Sequence, residues 1–372
     1  MASYRDVVAR NLRILLAPAK KTFSLSQMIF LRRLLLLATA VALTPLAGAA
    51  AKSKSTRPAE TDQATAYKGA IVTDAATGAV LYEDRADYGG PPASMAKLMT
   101  FAVLHDKLVA GSLSLAAPVR IMNEDNIGGT QVFLDPRETF PVEELIYAMM
   151  IQSANDAARA LARFAAGSVP AFVELMNAKA RQLGMAHTTF RTPHGLPPST
   201  RRLADTDLTT PRDYAILCRH LVVNTTVLKY ASVKNRDFGP NRAKGPMKME
   251  NHNKLLGKVS GVDGLKTGFT AAASYCISLT AERNGRRIIV VIMGSLGPGG
   301  LIDKGKARDL KAVELIERGF AALPVGGPSF TPAQPVDHSP LALAPQPPTI
   351  KPAAPTEANQ PVIKFSIPAP KK

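Results

Sequence analysis

The dipeptide Asn284-Gly285 stands between two apolar runs, residues 274–281 and 287–293. Asn-Gly accepts the two positive φ angles of a type I′ turn, whose twist matches the strands it joins, so these runs predict a β-hairpin. A second hairpin is predicted near the other end of the chain. There residues 69–73 and 79–83 flank Asp74-Ala75-Ala76-Thr77-Gly78. Between the two hairpins the apolar period is helical, over residues 94–109, 143–166 and 170–184. Thr210-Pro211-Arg212-Asp213 opens a further helix, with Thr210 as N-cap and Pro at the first helical position. Asp213 is therefore read as part of a cap and not as a catalytic acid. Residues 305–322 predict a last helix. Strands at both ends and helices between them imply an α+β fold: an antiparallel sheet flanked by helices, with an inserted all-helical subdomain.

The flanks read differently. Arg32 and Arg33 precede an apolar run, residues 34–46, and the small residues Ala47-Gly48-Ala49. That is the layout of a secretory signal peptide, and it places the mature protein outside the cytoplasmic membrane, in a periplasmic or extracytoplasmic space. Residues 1–49 are thus an N-terminal extension plus signal, with Met28 read as the true start; residues 50–66 are a linker and 67–322 the folded domain. Thirteen of the 29 prolines fall in residues 324–372, so 323–372 are read as a Pro-rich flexible tail. Membrane contact is expected only through an uncleaved leader or weakly through this tail. The net charge is +17. A basic chain suits anionic partners, but Lys and Arg are not interleaved with aromatics, so no nucleic-acid partner is expected. Cys218 and Cys276 have no metal-ligand spacing; one disulfide is open to them, but two buried free thiols are the preferred reading, and the histidines share no ligand spacing either, so no metal and no cofactor are implied.

Three short motifs carry chemistry. Ser94-Met95-Ala96-Lys97 opens a helix, and its i, i+3 spacing puts a nucleophile and an amine on one face. Free N–H groups at that helix start can face a developing oxyanion. Ser153-Ala154-Asn155 offers a second hydroxyl and an amide. Lys266-Thr267-Gly268, on a predicted strand, offers a charge, a hydroxyl and a position without a side chain, read as room for a substrate. A lysine near pKa 10.4 must shift by about three units, roughly 4 kcal/mol, to act as a base at neutral pH. Burial and the second cation, Lys266, are the expected sources.

Each motif alone also has a plain structural reading. In this order, with the hydroxyls of Ser94 and Ser153 59 positions apart and Lys266 a further 113 on, they resemble the penicillin-binding serine enzymes. Pro92-Ala93-Ser94, Ser153-Ala154-Asn155-Asp156-Ala157-Ala158, Met176-Asn177, Leu183-Gly184-Met185, His194-Gly195-Leu196 and Lys266-Thr267-Gly268-Phe269-Thr270 sharpen the likeness. Over about residues 65–322 the chain resembles the low-molecular-mass D-alanyl-D-alanine carboxypeptidases, serine peptidases of the S11 family. The resemblance implies Ser94 as acylated nucleophile, Lys97 as its base, and Ser153 as proton shuttle. It implies Asn155, Lys266, Thr267, Gly268 and Phe269 as substrate-binding positions, with the N–H groups of Ser94 and Phe269 as oxyanion hole. It also implies peptidoglycan stem peptides and β-lactams as partners. Ala96 stands where Thr is usual, and His252 where some members place an Arg that helps bind the carboxylate. A β-lactamase would need a loop carboxylate to activate water; Glu174 is the nearest candidate, and it falls inside a helix pattern. A non-catalytic wall-binding scaffold is the third reading.

Overall fold

A computed structural model describes residues 67–200 and 202–332. The segments read as signal peptide, with its start at Met28, as linker and, for the most part, as Pro-rich tail lie outside the described residues.

Five antiparallel strands form the main sheet: β1 (Gly69–Asp74), β2 (Val80–Asp84), β7 (Val262–Thr270), β8 (Ser274–Arg283) and β9 (Arg286–Ser295), in the order β2-β1-β9-β8-β7. Both chain ends contribute, as the hairpin signals predict. At the β8–β9 turn Asn284 and Gly285 take φ of 51° and 71°, the two left-handed angles that an Asn-Gly turn supplies. Both faces of the central strand are covered, which is why residues 288–293 read as an unbroken apolar run rather than an alternation. Ile288, Val290 and Ile292 face Ala312, Leu315 and Ile316 of the last helix, Lys306–Ala322. Ile289, Val291 and Met293 belong to the larger core on the other face.

That larger core is helical. In chain order its helices are α1 (Lys97–Val109), α2 (Val142–Tyr147), α3 (Asn155–Ala166), α4 (Val169–Gln182), α5 (Pro211–Asn224) and α6 (Val227–Ala231); the last helix is α7. Thr210 caps α5, its hydroxyl accepting from the Asp213 N–H. The Asp213 carboxylate turns outward from the helix and accepts from the His187 N–H and the Thr188 hydroxyl, a second structural duty. Two short ladders interrupt the helical middle: β3 (Pro118–Arg120) with β4 (Thr139–Pro141), and β5 (Asn235–Phe238) with β6 (Met247–Glu250). Cys218 and Cys276 are buried free thiols, the preferred of the two readings.

One expected helix is broken. Residues 143–166 form α2, then a π turn over Ala148–Gln152, then a stop at Ser153, whose φ is 62°. Asn155 starts α3 afresh. A π turn inside a helix shifts every later side chain around the axis, and such turns concentrate at functional sites.

The chain after α7 is not free at once. The Phe330 N–H donates to the Gly285 carbonyl, Arg286 donates to the Pro324 carbonyl, and the Phe330 ring packs under the Arg287 guanidinium. Residues 324–330, assigned from sequence to the tail, therefore run back along the β8–β9 turn.

Candidate active site

Pro91 and Pro92 fix the approach to a 3-10 turn, Ala93–Ala96, that continues into α1. Lys97 begins the helix one turn after Ser94, so its side chain rises beside the Ser94 hydroxyl. It is fully buried. Its Nζ lies 2.9 Å from Ser94 Oγ, 2.7 Å from Asn155 Oδ1 and 2.8 Å from the His194 carbonyl oxygen. Two of these three partners are carbonyls, which can only accept. A neutral amine has two N–H bonds and one lone pair. The carbonyls take the N–H bonds, and the lone pair is left facing the Ser94 O–H. Burial drives the amine well below the ordinary lysine range, and the Lys266 charge adds to that; Asp207 and Asp156 oppose it. These are the two sources expected from the sequence. With its proton lost, the amine is placed to take one from Ser94.

The Ser153 turn places the second motif. Left-handed geometry at a non-glycine residue costs about 1 kcal/mol or more and persists where the surroundings impose it. Here Met149, Met150 and Ile151 are buried without exposure on one side, and on the other the Asn155 N–H donates to the Thr130 carbonyl at 2.8 Å. Ser153 is 2% exposed. Asn155 gives its oxygen to Lys97 and its Nδ2 to the Gly128 carbonyl at 3.0 Å. Asp156 carries no reactive role in this geometry. Its buried carboxylate accepts the N–H groups of Val132 and Leu134.

Strand β7 brings the third motif against the first. A Cβ on Gly268 would lie 2.7 Å from the Pro92 carbonyl oxygen and 3.1 Å from the Ser94 nitrogen. The missing side chain makes room for the nucleophile's own turn. Lys266 is buried and its Nζ donates to the Thr267 carbonyl at 3.1 Å. Burial, then the Arg308 charge, pushes Lys266 down to about 7, so it titrates near neutrality. The Phe269 ring is 42% exposed and stacks on Tyr275 at 4.3 Å; the sequence reading used only its N–H. His252 is half-buried between Asn251 and Asn253, which pin it to backbone carbonyls. Burial and the Lys266 charge push it to about 4, so it stands neutral at pH 7.

Sequence reasoning missed the part played by residues 191–195. The His194 carbonyl binds Lys97, and the Pro193 carbonyl accepts from Thr100 one turn along α1. The buried Asp207 carboxylate holds this segment through the N–H groups of Arg191 and Thr192 and the Thr192 hydroxyl. A Cβ on Gly195 would lie 1.9 Å from the Ala93 carbonyl oxygen. The motif His194-Gly195-Leu196 was visible, but a backbone carbonyl has no residue-type signature. Glu174 is exposed on α4.

The profile of the D-alanyl-D-alanine carboxypeptidase family, peptidase family S11, matches residues 53–297. The chain belongs to this family. It is similar to D-alanyl-D-alanine carboxypeptidase DacF of Bacillus subtilis, 32% identical over 255 residues, covering 68% of this chain and 62% of the relative. It is also similar to D-alanyl-D-alanine carboxypeptidase DacC of Escherichia coli, 36% identical over 233 residues, covering 60% and 56%. The matches thus span about three fifths of the length of these relatives. Among solved structures, the ampicillin-bound penicillin-binding protein D2 of Listeria monocytogenes is similar with a TM-score of 0.57 and 32% identity, covering 68% of this chain and 97% of that one. The fold is that of the family: an antiparallel sheet flanked by helices.

Proposed function

We propose that the protein is a serine-type D-Ala-D-Ala carboxypeptidase that removes the terminal D-alanine from peptidoglycan stem pentapeptides through an acyl-enzyme on Ser94. One observation carries the reading: the buried Lys97 Nζ, within hydrogen-bond distance of two carbonyl oxygens and 2.9 Å from Ser94 Oγ. Ser94 attacks the carbonyl of the penultimate D-alanine and gives its proton to Lys97. The N–H groups of Ser94 and Phe269 bind the oxyanion. Protonated Lys97 hands that proton through Ser153 to the nitrogen of the departing D-alanine and is neutral again. Water, activated by Lys97, then hydrolyses the ester and restores Ser94. Protonated Lys266 and the Thr267 hydroxyl bind the terminal carboxylate, and Asn155 orients both Lys97 and the substrate amide. β-Lactams would acylate the same serine. The leader sequence supports action outside the cytoplasmic membrane, on the wall; among the described residues no helix is long and apolar enough to cross a membrane.

Mass spectrometry after incubation with pentapeptide and, separately, penicillin tests the reading. The expected result is release of D-alanine and a long-lived adduct of one penicillin on Ser94. Rapid turnover of penicillin would make the protein a β-lactamase, and inertness to both would make it a scaffold.

A further inference from the structure

Residues 128–134 pass beside Asn155 in an extended loop that is held from two sides. On the interior side, the Asp156 carboxylate accepts the Val132 N–H at 3.2 Å and the Leu134 N–H at 3.1 Å. On the outer side stands Arg242, in the connection between β5 and β6. Its Nη1 donates to the Val132 carbonyl at 2.9 Å and its Nη2 to the Phe133 carbonyl at 2.7 Å. Its Nε and Nη2 also donate to Glu138, at 2.8 and 2.7 Å, and its guanidinium lies over the Phe238 and Phe140 rings. The Arg242 side chain is 3% exposed. One residue, Val132, is thus gripped by its N–H and by its C=O. Phe133, next to it, is forced into the left-handed region with φ of 54° and left 60% exposed, a conformation a phenylalanine adopts only under constraint.

This loop decides which way the Asn155 amide faces. A carbonyl only accepts, so the Gly128 oxygen fixes the NH2 end of Asn155 on its own side and the oxygen on the Lys97 side. The fit is close: a Cβ on Gly129 would lie 2.5 Å from Asn155 Nδ2. If the loop relaxed, Asn155 could rotate and offer an N–H to Lys97. That N–H would compete with Ser94 for the amine lone pair.

We propose that Arg242 is a positioning residue of the reaction, holding the loop over residues 128–134 so that Asn155 keeps its carbonyl on Lys97. The inference rests on the reading of Lys97 as the base. It reaches the site across two intervening layers, the loop and Asn155, without touching substrate.

The test is a double-mutant cycle on Arg242→Lys and Asn155→Ala, read as the acylation rate constant by fluorescent penicillin per titratable Ser94. Arg242→Lys keeps the charge beside Glu138 but cannot reach both carbonyls and the carboxylate in one plane. Alone it should slow acylation roughly tenfold or more; in the Asn155→Ala background it should have almost no further effect, because the group it acts through is gone. A merely structural role would lower the number of titratable sites and leave the rate per site unchanged. A second measurement does not depend on activity. Exchange of the Asn155 side-chain amide protons, assigned by NMR through Asn155→Asp, should quicken roughly tenfold or more in Arg242→Lys. An unchanged rate per site, or equal losses with and without Asn155, overturns the proposal. If penicillin fails to label wild-type Ser94, the functional reading falls on its own, and the exchange rate decides whether Arg242 orients Asn155.

Discussion

Arg242 and Arg287 are buried basic side chains, and so are Lys97 and Lys266, yet the two pairs are held in opposite ways. The arginines meet carboxylates: Arg242 meets Glu138 at 2.7 Å, and Arg287 meets Asp263 at 2.8 Å as well as Glu282. The lysines meet carbonyls and a hydroxyl; among the described residues neither forms an ion pair. A guanidinium cannot be deprotonated in a protein, so pairing is what makes its burial tolerable. An amine can lose its proton, so leaving it unpaired tunes it. The framework therefore uses fixed charge to hold shape, and the site uses adjustable charge to move protons.

The sharpest way to break this contrast is to put a fixed charge in the site. Lys97→Arg should lower acylation by penicillin by about a thousandfold or more, because no neutral lone pair remains for Ser94. Stopped-flow labelling measures it, and a near-normal rate would mean that another group activates the serine. The converse change belongs to the framework. Arg287→Ala leaves Asp263 and Glu282 facing each other half-buried and should destabilise the fold by about 3 kcal/mol in urea denaturation. The acylation rate per intact site should stay as it was; a large loss there would erase the division between the two regions.

Lys266 gives a smaller and opposite effect. Its folded pKa of about 7 lies below the ordinary value of 10.5, so burial disfavours the charged form. The cost to stability is present in full below pH 7. It fades between pH 7 and 10.5, as the unfolded lysine also loses its proton. Lys266→Met should therefore stabilise the protein, on the order of 2 kcal/mol at pH 6 and much less at pH 9.5, while weakening carboxylate recognition. Equal gains at both pH values would show that Lys266 is not held near its titration point. The mildest effect concerns wild type: KM for a peptide with a free C-terminus should rise several-fold between pH 7 and 8, as Lys266 gives up its charge. With an amidated peptide that rise should be absent.

Which parts could be read beforehand follows from what leaves a mark on residue type. Asn284-Gly285 announces its turn, Thr210-Pro211 its helix, and Ser94 to Lys97 their shared face, because each depends on local chemistry. The break at Ser153 is silent. Ala148-Met149-Met150-Ile151-Gln152 are ordinary helix formers, and the left-handed serine is imposed by packing from residues distant in sequence. The closeness of Gly268 to the Ser94 turn left no mark of its own, since the approach of β7 to that turn is a tertiary fact. The carbonyls of His194 and Gly128 act through backbone atoms that every residue carries. Asp207 and Arg242 act on that backbone, one step further from any pattern.

The strap over residues 324–330 bears on where this protein can be cut or joined. Strand β8 runs seven residues from Ile277, opposite Thr267, to the turn at Asn284, which is about 23 Å at ordinary strand rise. Phe330 is wedged against that turn, with the Arg287 guanidinium for a roof. A chain ended at residue 323 would take the wedge away and open one side of a buried cation. A chain ended after residue 332 would keep it. Anything fused there would leave from the turn end of the sheet, with most of one strand's length between its pull and the serine.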